Sequence, residues 1–173
     1  MSFKLKTLKS TNVDYLQKLL KQFEISDNKD SSCYELNKSE EIEKQLLDNI
    51  IQRAIENKTK LHILYDERDI SKSIPCGLLA LNFEVVGDFS ALSIDFIFIS
   101  KNYRGIFINE IDSKISAYLL EFALMQAVEM NKVSQLDAVI LNPINECVSK
   151  IYIEFGFEEF GDGWLYFLID DID

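Results

Sequence analysis

The C-terminal part of this sequence holds the side chains whose types and spacing best fit a reaction site. Asn145 precedes Tyr152 by seven residues, and Gly156-Phe157 begins four residues after the tyrosine. Seven residues make about two turns of an α-helix, so the amide and the phenol are expected on one face. Beside a strand end, such a pair favours a site over a packing surface. Two structural alternatives stay open: Tyr152 as a half-buried helix residue, and Asn145 as the helix N-cap, a role compatible with a ligand contact.

The segment from Leu141 to Phe157 resembles the C-terminal half of the GCN5-related N-acetyltransferases. In that family the asparagine and the tyrosine lie along the cofactor, and the Gly-Phe pair begins the next strand. The resemblance implies acetyl-coenzyme A as cosubstrate, Tyr152 as the general acid for the leaving thiolate, and Asn145 as a cofactor contact. The implied reaction is direct transfer of an acetyl group to a primary amine within a ternary complex.

A second segment resembles the family's cofactor strand and the Tyr-Arg-Gly turn after it. In the family, the main chain of this strand faces acyl-coenzyme A, and the following loop wraps the pyrophosphate at the N-terminus of the long helix. Successive backbone N–H groups and the helix dipole favour phosphate at such a place. The cofactor-binding residues implied here are Ile97, Phe98, Ile99, Arg104 and Gly105.

The family's Gly-x-Gly pattern is missing after Gly105. Residues 106–113 intervene, and the two glycine positions are occupied by Lys114 and Ser116. In one interpretation the loop is merely longer, and phosphate still meets the N–H groups of the helix N-terminus, with the charges of Lys114 and Arg104. The amides concerned belong to Lys114, Ile115, Ser116 and Ala117. In the other, the chain keeps the fold without coenzyme A and is a non-catalytic module that binds a ligand or a protein partner.

Asp95 is the candidate for a general base. Strand alternation is expected to place Ser93, Asp95, Ile97 and Ile99 on one face. A carboxylate inside an apolar run must be hydrogen-bonded, ion-paired or functional. Family members often carry a water-relaying carboxylate in this region, so the resemblance implies a catalytic role for Asp95. A role as a buried structural partner stays open.

Hydrophobic periodicity and turn residues predict four helices and seven strands. The helices are 11–24, 39–57, 112–131 and 145–155, with a polar loop at 26–38. The strands are 3–8, 60–65, 76–86, 92–100, 136–141, 157–160 and 164–169. The order predicts one α/β domain over residues 1–173, of the mixed α+β type, with a central, mostly antiparallel mixed sheet and helices on both faces. It is similar to the order in the acyl-CoA N-acyltransferase fold.

The net charge of the chain indicates which kind of acceptor the protein could bind. The net charge is −11, and from Gln135 onward nine acidic residues and one basic residue give −8. Such a surface repels phosphate backbones and attracts cations. We therefore expect an amine-bearing small molecule, peptide or protein as acceptor, and no nucleic acid. The same charge argues against the subclass of the family formed by toxins that acetylate aminoacyl-tRNA, although its members have similar length.

Cysteine, histidine and apolar content predict the setting of the protein. Three cysteines without a CxxC spacing and a single histidine, His62, favour reduced thiols in the cytoplasm and no metal site. We expect a structural role for His62. No apolar stretch is long enough to span a bilayer, so no membrane partner is expected. The chain is expected to be a monomer or a homodimer.

Overall fold

The structure is a computed structural model that describes residues 3–9, 12–25, 39–69, 71–86 and 88–172. The predicted loop at 26–38 lies outside these ranges. The helices are α1 (Val13–Leu20), α2 (Ser39–Ile55), α3 (Ile115–Asn131) and α4 (Glu146–Phe155). The strands are β1 (Phe3–Thr7), β2 (Lys60–Asp66), β3 (Ile74–Val86), β4 (Phe89–Ile99), β5 (Phe107–Ile108), β6 (Ser113–Lys114), β7 (Ala138–Leu141), β8 (Glu158–Gly161) and β9 (Trp164–Leu168).

Seven of these strands form one sheet in the order β1-β2-β3-β4-β7-β9-β8. Neighbouring strands are antiparallel except for β4 and β7, which are parallel. The mixed, mostly antiparallel sheet confirms the predicted fold class, and the predicted order of helices and strands is present. A short hairpin of β5 and β6, which the sequence patterns did not predict, precedes α3.

Helices pack on both faces of the sheet, as predicted. On one face, α1 and α2 bury a stripe that includes Leu16 and Leu47. On the other face, α3 buries Leu119 and Ala123, and Tyr152 of α4 packs against the same cluster. Each helix has apolar residues at intervals of three and four, so one side of the helix faces the core. The cluster on this second face contains residues of α3 and contacts α4, so these two helices lie on the same side of the sheet.

The start of α3 lies against the sheet because residue 77 of β3 is glycine. A Cβ atom at Gly77 would lie 2.9 Å from Cγ2 of Ile115 and 3.1 Å from Cδ1 of Leu119. Both of these α3 side chains are fully buried. A side chain at position 77 would therefore push the first turns of α3 away from the sheet.

Gly77→Ala is expected to lower the free energy of unfolding by about 1–3 kcal/mol, because the new methyl group overlaps Ile115 and Leu119. Urea unfolding measures this loss. Ile115→Ala removes the nearest clashing atom, so the Gly77→Ala/Ile115→Ala double variant should be less destabilised than the sum of the two single variants. Additive losses would show that the close packing of α3 on Gly77 is not the cause.

Candidate active site

The sheet opens between β4 and β7. These strands pair from Ala91 with Ala138 to Ile94 with Leu141, and β7 ends there. β4 continues to Ile99, paired only with β3. On the β7 side, residues 95–99 therefore have no strand partner within the described ranges, and we call this side the open edge of β4. Main-chain N–H and C=O groups along such an edge are available to an extended ligand.

A β-bulge marks the start of the open edge. The register of β4 against β3 skips Asp95, whose neighbours Ile94 and Phe96 pair with consecutive residues of β3. A bulge adds one residue and so reverses the alternation of side chains beyond it. The prediction that Asp95, Ile97 and Ile99 share one face is therefore wrong. Ile97 and Ile99 pack with the α3 cluster, whereas Asp95 points to α2.

The carboxylate of Asp95 already has two partners. Nη2 of Arg53 donates to Oδ2 over 2.9 Å, and Oγ of Ser93 donates to Oδ1 over 3.2 Å. The Asp95 side chain is only 8% exposed. These two contacts satisfy the buried charge of Asp95. They fit the alternative in which Asp95 is a buried structural partner. Since α2 and Tyr152 lie on opposite faces of the sheet, the structure does not bring Asp95 and Tyr152 together.

Arg104 forms an ion pair with Glu43. Its Nη1 and Nη2 atoms donate to the two carboxylate oxygens of Glu43 over 2.8 and 3.0 Å, and its Nε donates to the carbonyl of Ile99 over 2.9 Å. Glu43 belongs to α2 and is 1% exposed. The bidentate pair ties α2 to the end of β4. The guanidinium is therefore engaged by groups of the protein itself.

The start of α3, where phosphate is expected to bind, differs from the family pattern. Residues 107–114 form the β5–β6 hairpin, in which Phe107 lies opposite Lys114. Lys114 is the N-cap of α3 and makes no side-chain capping bond, and its side chain is exposed. Ile115 is buried in the core, while Ser116 and Ala117 are half-buried. Among the described residues, no side chain caps the first-turn amides of α3, which leaves them suited to an anion.

Helix α4 presents the asparagine and the tyrosine of the C-terminal motif. Oδ1 of Asn145 accepts a hydrogen bond from the Val148 amide over 3.0 Å, so Asn145 is the N-cap, the structural role named for it above. Tyr152 is half-buried, and its ring meets Phe157 edge-on at 6.0 Å. Gly156 ends the helix with φ of 116°, a conformation that favours glycine. The motif thus sets the length and direction of α4.

These elements meet on one side of the sheet. Ile97, Ile99, Ile115 and Tyr152 all belong to the same apolar cluster or pack against it. The open edge of β4, the first turn of α3 and the phenol-bearing helix therefore lie on the same side of the sheet. Phe98 points the other way and is buried with the α1–α2 cluster, so only its main chain can take part in a site at the open edge.

The fold resembles those of several solved structures. It is similar to AtaTR bound with acetyl-coenzyme A, with a TM-score of 0.70 and 14% identity over 98% of this chain and 94% of that chain. It is also similar to AtaT complexed with acetyl-methionyl-tRNAfMet (TM-score 0.65, 14% identity, 97% and 95% covered) and to the KacTA–DNA complex (0.67, 12%, 97% and 94%).

The chain has the acyl-CoA N-acyltransferase fold. At such low identity the likeness establishes the fold alone. No protein-family model matches the sequence, and the search of curated proteins gives no match.

Two features of the described residues bear on membranes and metals. None of their helices is both long and apolar enough to cross a membrane. They contain no group of three or more His, Cys, Asp or Glu side chains arranged to hold a metal ion.

The sequence does not reveal two partners of the predicted site residues. These are Arg53, which pairs with Asp95, and Glu43, which pairs with Arg104. Glu43 did carry a signal, because it stands four residues before the buried Leu47, on the apolar stripe of α2. A carboxylate on such a stripe needs a cation. Nothing in the sequence says which cation, since Arg104 is 61 residues away.

The protein also has a cavity of about 850 Å³ whose lining includes none of residues 95–99. Its lining includes Asn57, at the end of α2, and Met130, in the last turn of α3. Neither Tyr152 nor the open edge of β4 contributes to it, so we do not place the reaction there. His62 lines this cavity, and its Nδ1 lies 2.9 Å from Oγ1 of Thr7. The contact fits the structural role expected for His62.

Burial, and secondarily the charge of Lys60, lowers the pKa of His62 to about 4. Because the folded-state pKa lies below the ordinary value near 6.5, the unfolded state takes up the proton first as pH falls. Stability contributed by neutral His62 is therefore complete above about pH 6.5 and is lost progressively down to about pH 4.

We predict that the unsubstituted protein loses roughly 2 kcal/mol more unfolding free energy between pH 7 and pH 5 than His62→Gln does. Glutamine keeps a polar partner for Thr7 but cannot titrate. Urea unfolding at a series of pH values provides the comparison. Parallel pH dependences for the two proteins would contradict the assignment of a buried, neutral imidazole.

Proposed function

We propose that this protein is an acyl-coenzyme A-dependent N-acyltransferase that transfers an acetyl group from acetyl-coenzyme A to a primary amine. The observation that carries the proposal is the open edge of β4 beside an N-terminus of α3 without a capping side chain, with Tyr152 on the same side of the sheet. The fold shared with AtaTR bound to acetyl-coenzyme A supports it. The cytoplasmic location, the single domain and the monomeric or dimeric state remain predictions.

In the proposed complex, acetyl-coenzyme A lies along the open edge. The main chain of Ile97 to Ile99 faces its thioester arm, and the Lys114–Ala117 turn binds the pyrophosphate through its N–H groups and the Lys114 ammonium. Gly105 lies in the loop between these parts, and Asn145 lies at the far side of the gap, at the start of α4. Arg104 contributes by fixing the end of β4 through Glu43 and the Ile99 carbonyl, not by contacting phosphate.

The proposed chemistry is a direct displacement. A neutral amine attacks the thioester carbonyl, the new C–N bond forms, and the C–S bond breaks as the tetrahedral intermediate collapses. The phenol of Tyr152 donates a proton to the leaving thiolate and later regains one from water. The amine must also lose a proton. The contacts of Asp95 with Arg53 and Ser93 favour the structural alternative for that carboxylate, so the mechanism gives this proton to water.

The acceptor is proposed only as an amine. The strongly acidic C-terminal part favours a cationic small molecule, peptide or protein. The exclusion of nucleic acid is not kept, because AtaT has the same fold and was solved with acetyl-methionyl-tRNAfMet. An acceptor screen by mass spectrometry should therefore include aminoacyl-tRNA beside polyamines and lysine-containing peptides.

A non-catalytic role is the second candidate. The β5–β6 hairpin stands where the family has its Gly-x-Gly loop, and this specific departure favours a module that binds no coenzyme A. Cofactor binding separates the two candidates.

Isothermal titration calorimetry should detect acetyl-coenzyme A binding, and Lys114→Ala should weaken it by about threefold to tenfold at low salt, because one charge beside the phosphates is removed. Lys132→Ala is the matched control, since Lys132 is exposed at the opposite end of the same helix. Absence of heat at high micromolar ligand would leave the non-catalytic candidate. Equal effects of both substitutions would place the phosphates elsewhere.

Tyr152→Phe should lower kcat by roughly 10²–10⁴-fold with saturating substrates while the affinity for acetyl-coenzyme A stays within about twofold, since only the proton donor is lost. Thiol release, followed with an acceptor from the screen, measures the rate. Tyr166→Phe, on the opposite face of the sheet, serves as the control. Unchanged turnover by Tyr152→Phe would remove the tyrosine from the mechanism.

A further inference from the structure

The far half of the sheet has a face that no described helix covers. There, Ala91, Ala138 and Ile140 form a small buried cluster on β4 and β7. The residues packed against this cluster are Phe89, Trp164 and Tyr166, all from strands. Small side chains on the sheet thus leave room for rings, and the rings themselves form the outer surface.

A fourth ring extends this surface into solvent. Phe160 of β8 stacks on Phe89 with centroids 6.2 Å apart and planes at 15°, and it meets Tyr166 edge-on at 6.0 Å. Phe160 is 65% exposed. We call Phe89, Phe160, Trp164 and Tyr166 the aromatic face.

Carboxylates border the aromatic face. Oε2 of Glu158 accepts a hydrogen bond from the Tyr166 hydroxyl over 2.6 Å. This bond, with the negative charges of Glu158 and Asp171, raises the pKa of Tyr166. Asp88 is exposed next to Phe89, and Asp137 binds the amide of Ser90. The rings therefore lie in a region of negative potential.

Among the described residues, no Lys or Arg side chain forms an ion pair or a cation–π contact in this region. Elsewhere in the protein, Lys6, Arg68 and Arg104 each lie over an aromatic ring and pair with a carboxylate. None of the ion pairs and cation–π contacts among the described residues includes the four rings or the carboxylates beside them. A Lys or Arg side chain placed over these rings would meet both a cation–π partner and a carboxylate.

Charge decides between the possible occupants. In a symmetric dimer built on this face, each carboxylate of one copy would meet the same group of carboxylates on the other. The C-terminal part carries −8, so such a dimer opposes like charges. A basic partner instead gains both the carboxylates and the rings.

We propose that the aromatic face is a docking surface for a basic polypeptide segment, whose Lys or Arg side chains lie over Phe160 and its neighbouring rings. Docking does not depend on acyl transfer. It adds a partner site on the opposite side of the sheet from Tyr152.

The fluorescence of Trp164, the single tryptophan of the chain, can report binding at the aromatic face. The probe is a capped peptide of alternating arginine and leucine, titrated at low salt into the full-length protein while Trp164 emission is recorded. A peptide with glutamine in place of arginine is the neutral control. We expect a saturable change in emission with the arginine peptide and none with the glutamine peptide, and weaker binding as salt is raised.

Phe160→Ala, Glu158→Gln and Glu121→Gln then separate docking from general attraction to an acidic protein. The first two should each weaken the arginine peptide by about threefold to tenfold. Glu121→Gln removes the same charge as Glu158→Gln from an exposed site on α3 and should change affinity less than twofold. Unchanged Trp164 emission, indifference to Phe160→Ala, or equal losses from Glu158→Gln and Glu121→Gln would each overturn the proposal. Because Phe160 is largely exposed, its removal leaves the core intact.

Discussion

The separation of β4 from β7 is the constraint on which the rest of the candidate site depends. A continuous sheet would satisfy every main-chain group of β4 and leave no edge for a ligand. Here β7 stops at Leu141, and the bulge at Asp95 begins the part of β4 that pairs only with β3. Arg53 satisfies the charge that the bulge directs toward α2. A single extra residue and one ion pair thus accompany the change from paired strand to open edge.

The start of α3, where we propose that phosphate binds, is held in place by packing. In the family resemblance, glycines bring the loop close to the ligand. In this chain the glycine lies under the helix, at position 77, and lets Ile115 and Leu119 pack onto β3. The start of α3 is therefore held by its buried side chains, while Lys114 and the first-turn amides remain at the surface. The N–H groups at the start of α3 are thus held in place without a Gly-x-Gly turn.

Much of the fold was predictable because it follows from periodic patterns. Buried stripes identify the helices, alternating runs identify the strands, and the order of elements identifies the fold. The errors concern single residues whose role depends on distant parts of the chain. Alternation misplaces Asp95 because a bulge leaves no pattern in the sequence, and the pairing of Arg104 with Glu43 could not be predicted because 61 residues separate the two in the chain. The hairpin of β5 and β6 is too short to show strand periodicity. The roles of Tyr152 and the Lys114 turn remain predictions, since their ligand defines them.

Hydrogen exchange of the backbone, with and without acetyl-coenzyme A, tests the central claim most directly. If the ligand lies along the open edge and its pyrophosphate binds the start of α3, exchange should slow in peptides covering residues 95–99 and 114–117 and stay unchanged in β1. Unchanged exchange in both segments at saturating ligand, or protection confined to another part of the chain, would contradict the account.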